Sequence, residues 1–141
     1  MKQNEIILKI VDDSDFRFLF NLLKQRDSES NISHKKMPTY SEHVKFVKSK
    51  PYSKWYIIQK SKMKIGSIYL SKNDEVGIFI KKKIHREGLA TKALELLMNK
   101  NPRTKYLANV SPKNLSSSKF FKKNNFKLIQ HTYELEKNEN F

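Results

Sequence analysis

Between Lys81 and Leu97 the chain reads KKKIHREGLATKALELL, and one of its only three glycines, Gly88, stands immediately before residues with helical periodicity. Leu89, Ala93, Leu96 and Leu97 form the apolar stripe of that helix. Small residues at 88 and 90 open its first turn, where backbone amides have no intrahelical partner and an anion can approach the main chain. Thr91 adds a hydroxyl, and the helix dipole adds partial positive charge. A pyrophosphate fits such a turn. Read alone, Gly-Leu-Ala is equally an ordinary loop whose glycine eases a bend. A second chemical candidate is Glu75, which opens the apolar run EVGIFI. Read alone, it is a solvated carboxylate at the start of a strand.

The periodicity of the chain says which elements would position these groups. Residues 5 to 11 read as a strand, and Asp12 or Ser14 caps a helix with Phe16, Leu19, Phe20 and Leu23 on one face. After the polar stretch 27 to 36, Thr39 and Glu42 stand at capping-box spacing for a short helix that ends before Pro51 and buries Tyr40, Val44 and Val47. Strand-like runs at 54 to 59, 64 to 70 and 75 to 80 are separated by the polar turns KSKM and SKND, so an antiparallel meander is expected. A helix from about Gly88 to Asn99, a strand at 106 to 110, a helix from about Ser116 to Asn124 and strands within FKLIQ and TYELE complete the order. No repeat or linker divides the chain, and residues 1–141 are expected to form a single domain.

Composition limits the partners. The chain has no cysteine, and His34, His43, His85 and His131 show no ligand spacing, so no metal site is expected. The first apolar run, IILKIV, has neither the length nor the flanks of a signal peptide, and no window is long enough to span a membrane; a cytoplasmic protein is expected. The net charge is +15, but all except four of the 29 basic residues are lysines spread over every segment. Base readout and bidentate phosphate recognition favour arginine, so a nucleic-acid partner is not expected, whereas a polyanionic small ligand is compatible.

The segment HREGLA, between a strand and a helix, resembles from Gly88 onward the Q/R-x-x-G-x-G/A fingerprint of the GNAT superfamily of acetyl-CoA-dependent N-acetyltransferases. The run NLSSSKFFKKNNF is similar to the second pattern of that family at Asn114, Ser117, Lys123 and Phe126. Phe121 replaces the usual tyrosine and Asn125 the usual glycine, and asparagine tolerates the left-handed backbone such a glycine supplies. The resemblance covers nearly the whole chain. It implies an α/β fold of the α+β type, with a mixed, mainly antiparallel sheet of six to seven strands, about four helices, and splayed fourth and fifth strands forming the acetyl-CoA cleft.

The same resemblance implies transfer of an acetyl group from acetyl-CoA to a primary amine. Glu75 would be the base. Phe79, Ile80 and Lys81 would meet pantetheine, Arg86, Glu87, Gly88, Leu89, Ala90 and Thr91 the pyrophosphate, and Asn114, Ser117, Phe121 and Lys123 the cofactor farther along. Lys81, Lys82, Lys83, Lys119 and Lys122 add positive charge around the phosphates. With Phe121 in place of tyrosine the acid that protonates the thiolate is open; Ser118, His131 and Tyr133 are substitutes, and a thiol of ordinary pKa about 8.5 also leaves as the anion. Acceptor specificity is expected in the first half, with Arg26, Tyr40 and His43 near the acceptor; His43 reads equally as a surface histidine. The loop and short helix followed by WYIIQKSKMKIGSIYL resemble acetyltransferases acting on amino-sugar nucleotides, which makes a small-molecule acceptor of that kind the first reading. Protein or peptide acetylation is the second, and a basic binding module that has lost its chemistry the third. The chain is expected as a monomer or homodimer.

Overall fold

The structure is a computed structural model and describes residues 5–30, 37–84 and 88–137, the side chains of 27–30 excepted. His34, His85, Arg86 and Glu87 lie outside the described residues. Strand β1 (Ile6–Ile10) is followed by a 3₁₀ turn and helix α1 (Phe16–Ser30), then α2 (Tyr40–Lys48), strands β2 (Lys54–Lys60), β3 (Met63–Leu70) and β4 (Val76–Ile80), and helices α3 (Leu89–Lys100) and α4 (Leu115–Lys123). The strands form one antiparallel sheet in the order β1-β2-β3-β4, as the short polar turns require.

Both faces of the sheet are covered, and the sequence shows why. In β3 the run Ile65 to Ile68 is buried without interruption, the pattern of a strand packed on two sides. On one face Leu8, Tyr56, Ile58, Ile68, Leu70 and Val76 pack against Ala93, Leu94 and Leu97 of α3. On the other, Ile57 packs with Leu19 of α1 and Val47 of α2, flanked by Phe16, Phe18 and Trp55. Leu22 is buried where the spacing predicts Leu23, and Leu94 joins the buried stripe of α3 while Leu96 is only half-buried. Such one-position shifts reflect two neighbours, sheet and helix, sharing one α-helical surface.

Helix α2 carries the expected capping box: the Thr39 amide donates to Glu42 Oε1 at 2.8 Å and the Glu42 amide to Thr39 Oγ1 at 3.1 Å. Its buried positions are His43 and Val47, with Tyr40 and Val44 half-buried. His43 is therefore not a surface residue.

Four strands form among the described residues, fewer than the six to seven expected. The run 106–110 meets β4 through a single parallel bridge, Glu75 to Leu107, and then departs from it. Residues 126–136 build no strand because no ladder partner lies beside them, and Leu128, Ile129, Tyr133 and Leu135 are 70%, 73%, 89% and 85% exposed.

Asp15 anchors the entry to α1. It is fully buried, its Oδ2 accepts from Lys9 Nζ at 2.7 Å and from the Asp12 amide at 2.8 Å, and Lys64 Nζ lies 2.6 Å from Oδ1. Beside it, the Ser14 hydroxyl and amide donate to Asp12 Oδ1 at 2.6 and 2.9 Å. With Lys9 alongside, these bonds lower the exposed Asp12 carboxyl from 3.8 to about 2. A carboxyl depressed in the folded state contributes stability that is complete above its unfolded value and is lost as pH falls through the folded one. Asp12→Asn keeps a capping acceptor but does not titrate. The difference in melting temperature between wild type and Asp12→Asn is expected to stay constant down to about pH 5 and to shrink between about pH 4 and 2. A difference that persists unchanged to the acid end would show that the charge on Asp12 contributes nothing.

Candidate functional site

The divergence of β4 from the segment after Leu107 opens a cleft of about 140 Å³, bounded by Glu75 to Phe79 on one side and Asn109 to Ser111 on the other. Asn114, Ser117 and Phe121 of α4 close one end, and Arg26 of α1 and Tyr69 of β3 also line it. The expected parting of a fourth strand from a following segment is thus present, although the second segment is no longer than a bridge.

Register decides which main-chain groups face this opening. The Lys81 amide donates to Ile65 O at 2.8 Å, and Phe79 and Gly77 pair with Ser67 and Tyr69 in the same phase. Alternation therefore turns the backbone of Phe79 and Lys81 toward β3 and that of Ile78 and Ile80 toward the outer edge of β4. The Phe79 side chain still lines the cleft.

At the start of α3, Gly88 has φ 87 and no side-chain cap covers the first turn. This is the left-handed region, which any side chain but glycine, asparagine or aspartate occupies at a cost. A Cβ at 88 would meet nothing within 4 Å, so open space lies beside these amides. Leu89 is buried, while Ala90 and Thr91 are half-buried at the turn. The Thr91 hydroxyl accepts from Asn124 Nδ2 at 3.3 Å, which ties the start of α3 to the end of α4.

Helix α4 is held at both ends by asparagines. Asn114 Oδ1 accepts from the Ser117 amide at 3.0 Å at its start. At its end Asn125 takes φ 73, its amide donates to Lys122 O at 3.0 Å and the Phe126 amide to Phe121 O at 2.9 Å, a Schellman closure. The asparagine does occupy the left-handed conformation. The ring of Phe121, 8% exposed, contacts Phe126 and Phe120 at 5.0 and 5.1 Å. Lys123 is exposed on this helix and is not among the residues lining the cleft. Ser118 is half-buried on α4, while His131 and Tyr133 lie on the exposed segment beyond it.

Glu75 is half-buried at the mouth of the divergence. Its Oε2 accepts from Asn109 Nδ2 at 3.0 Å and its Oε1 from the Ser71 hydroxyl at 3.2 Å. Both neighbours are neutral donors, so the carboxylate is oriented while its charge stays uncompensated by any of these bonds. Of the residues expected near an acceptor, Arg26 lies in the cleft, and Tyr40 and His43 do not line it. His43 packs instead against Phe20 and Phe46, and burial holds its imidazole below the usual range.

Tyr69, Gly77, Ile78, Asn109 and Ser111 also line the cleft, and sequence reasoning missed them. The signal for the first two was the hairpin itself: Tyr69 and Gly77 are direct cross-strand partners. A Cβ at 77 would collide with the Tyr69 ring at Cζ, so the ring occupies the space that a side chain would need. Tyr69 stacks on Tyr52 at 3.7 Å, and Tyr52 meets the Trp55 edge at 4.7 Å. Burial and the neighbouring Tyr69 push the Tyr52 phenol far above its ordinary range.

The profile of the acetyltransferase (GNAT) domain family matches residues 5–127, and the chain belongs to that family. It is an N-acetyltransferase, of a family whose acyl donor is acetyl-CoA. Among solved structures it is similar to an acetyltransferase from Thermus thermophilus (17% identity, 92% of each chain, TM-score 0.73). It is also similar to a spermidine N-acetyltransferase from Vibrio cholerae in complex with CoA and spermine (16%, 89% and 83%, 0.73). A third is RimL, a ribosomal L7/L12 alpha-N-protein acetyltransferase in complex with coenzyme A (18%, 89% and 81%, 0.71). No curated protein sequence matches the chain significantly. Among the described residues no group of histidine, aspartate and glutamate could hold a metal ion, and no helix is long and apolar enough to cross a membrane.

Gly77→Ala must displace the Tyr69 ring and is expected to cost about 2 kcal/mol in urea denaturation. A double-mutant cycle with Tyr69→Ala should show a coupling of about 1–2 kcal/mol, since removing the ring removes the clash. Strictly additive losses would mean the ring has room to move.

Proposed function

We propose that the chain acetylates the primary amine of a negatively charged small molecule, an amino-sugar nucleotide being the acceptor that fits best. The observation that carries this reading is Arg26 in the same cleft as Glu75, on a chain of net charge +15. An anionic acceptor is drawn to such a surface and held by a guanidinium, while polyamines and basic peptides approach against the field.

In this reading the pyrophosphate of acetyl-CoA rests on the first-turn amides of α3, from Leu89 to Thr91, with Gly88 leaving room. Arg86 and Glu87 precede that turn. Pantetheine runs along the outer edge of β4 beside Ile78 and Phe79, toward Asn114, Ser117 and Phe121, and Lys123 adds charge on α4. Glu75 takes the proton of the acceptor ammonium, directly or through water. The freed amine lone pair forms the C–N bond at the thioester carbonyl, the C–S bond breaks, and the sulfur leaves as thiolate, to be protonated by water. Phe121 excludes water from the thioester but supplies no proton.

Gly88→Asp and Gly88→Asn test the phosphate seat, because both side chains tolerate positive φ and differ only in charge. Calorimetry with acetyl-CoA is expected to give the aspartate variant at least about tenfold weaker binding than the asparagine variant, about 1.4 kcal/mol. Equal affinities would remove the pyrophosphate from this turn.

The acceptor is tested by a panel read through thiol release. An amino-sugar nucleotide is expected to outrun free amino sugars, peptides and spermidine, and Arg26→Gln to raise its KM about tenfold with acetyl-CoA affinity unchanged. Spermidine or a basic peptide reacting fastest would overturn the anionic acceptor. Glu75→Gln should depress turnover most at low pH, where the ammonium most needs a base; parallel pH profiles would exclude that role.

A further inference from the structure

Two cross-strand pairs, Trp55 with Tyr69 and Tyr69 with Gly77, form one row across β2, β3 and β4. Alternation along β2 puts this row on the side of Ile57, the face of the sheet that α1 and α2 cover. Arg26 of α1 and the Tyr69 ring therefore line the cleft from the same side. Glycine at 77 lets the ring lie flat across β4, because the Cβ of any other residue would run into its Cζ, Cε2 and hydroxyl oxygen. The tip of Tyr69 thus rests over Gly77, itself a residue of the cleft.

Both faces of this ring are taken. Tyr52 stacks on one, with centroids 3.7 Å apart and planes within 1° of parallel. So full an overlap leaves no room on that face, and Gly77 lies against the other. Tyr52 is held in turn by the Trp55 edge at 4.7 Å, and Trp55 by a 2.7 Å hydrogen bond from its Nε1 to Ser67 Oγ. A base or sugar ring that enters the cleft therefore finds no face of Tyr69 to stack on. What the residue offers is its hydroxyl. A phenol donates to an anionic oxygen, and a guanidinium presents its donors in a planar fork. Among the described residues no carboxylate lies within ion-pair distance of Arg26. Burial, with the Tyr69 hydroxyl alongside, keeps the Tyr52 phenol protonated against the pull of Arg26, so no phenolate competes for the guanidinium.

We propose that Tyr69 determines acceptor specificity: its hydroxyl and the Arg26 guanidinium bind one phosphate of the acceptor, by hydrogen bonding and not by stacking, while Tyr52 holds the ring in place. The inference rests on the anionic acceptor argued above and adds how that anion is read. A phosphate-bearing acceptor is selected over its neutral counterpart because an acceptor without the phosphate leaves the guanidinium and the hydroxyl unanswered. The stack behind the ring matters for the same reason. A hydroxyl fixed from both faces loses little freedom when it meets the phosphate.

Tyr69→Phe tests the proposal, because it removes the hydroxyl and leaves both ring contacts in place. Thiol release compares an amino-sugar nucleotide with the corresponding free amino sugar, and the preference is the ratio of their kcat/KM values. That ratio is expected to fall about tenfold in Tyr69→Phe through a higher KM for the nucleotide, with kcat, acetyl-CoA affinity and melting temperature at their wild-type values. Arg26→Gln should lower the same ratio. The double variant should lose less than the product of the two single losses, since both groups hold one phosphate. A ratio that Arg26→Gln lowers and Tyr69→Phe leaves unchanged overturns the role of Tyr69 while the anionic acceptor stands. Equal losses for both acceptors in Tyr69→Phe also overturn it, because the hydroxyl then only shapes the cleft. A wild type with no preference for the nucleotide overturns the anionic acceptor and this inference together.

Discussion

Two hydrogen bonds decide where the molecule opens. The Val76 amide to Leu107 O at 2.7 Å and the Leu107 amide to Asp74 O at 2.9 Å join the start of β4 to the chain that returns from α3. They are the only ladder between these segments among the described residues. Had the ladder continued, the backbone of Ile78 would be spent on a neighbouring strand. Because it stops after one bridge, the two segments separate and the outer edge of β4 faces Asn109, Val110 and Ser111 across a gap. The bridge is reinforced from behind. Arg103 Nε donates to Asp74 Oδ1 at 2.9 Å, and the Tyr106 hydroxyl donates to Asn101 O at 2.7 Å. Asn101 in turn donates to Tyr56 OH and Leu97 O, so the end of α3, the sheet and the returning segment share one network.

The gap is useful because different elements bring different chemistry to it. The start of α4 supplies Asn114 and Ser117, and the Asn124 to Thr91 bond ties that helix to the first turn of α3, whose residues do not line the gap. The opposite face of the sheet supplies Arg26 and the Tyr69 ring, which the stack on Tyr52 and the edge of Trp55 holds in place. Glu75 sits between the two, with Asn109 reaching back across the divergence to its carboxylate.

Phe121 is a packing residue at the end of the cleft. Its ring is gripped by Phe120 and Phe126, and the Schellman closure at Asn125 draws Phe126 onto it. The side chain thus closes one end of the cleft with an apolar ring that has no proton to offer.

The sequence by itself determined the first four strands, the four helices and the two helix termini. Alternation in EIILKIV, KWYIIQ and KIGSIYL, the polar turns between them and the Thr39 and Glu42 box act within a few residues, so local spacing suffices to read them. Gly88 and Asn125 were legible for the same reason: a positive φ is a property of one residue. Contacts between distant segments were not legible. Tyr69 over Gly77, Asn109 on Glu75, and the outward turn of Ile78 rather than Phe79 depend on strand register and on where 106–110 leaves β4. His43, a groove candidate by sequence, is a buried ring because it packs against Phe20 of α1, a contact that no periodicity within α2 reports. The runs at 126–130 and 132–136 carry strand patterning yet form no strand in one chain, since a strand is a relation between two segments and its partner is not encoded in its own spacing.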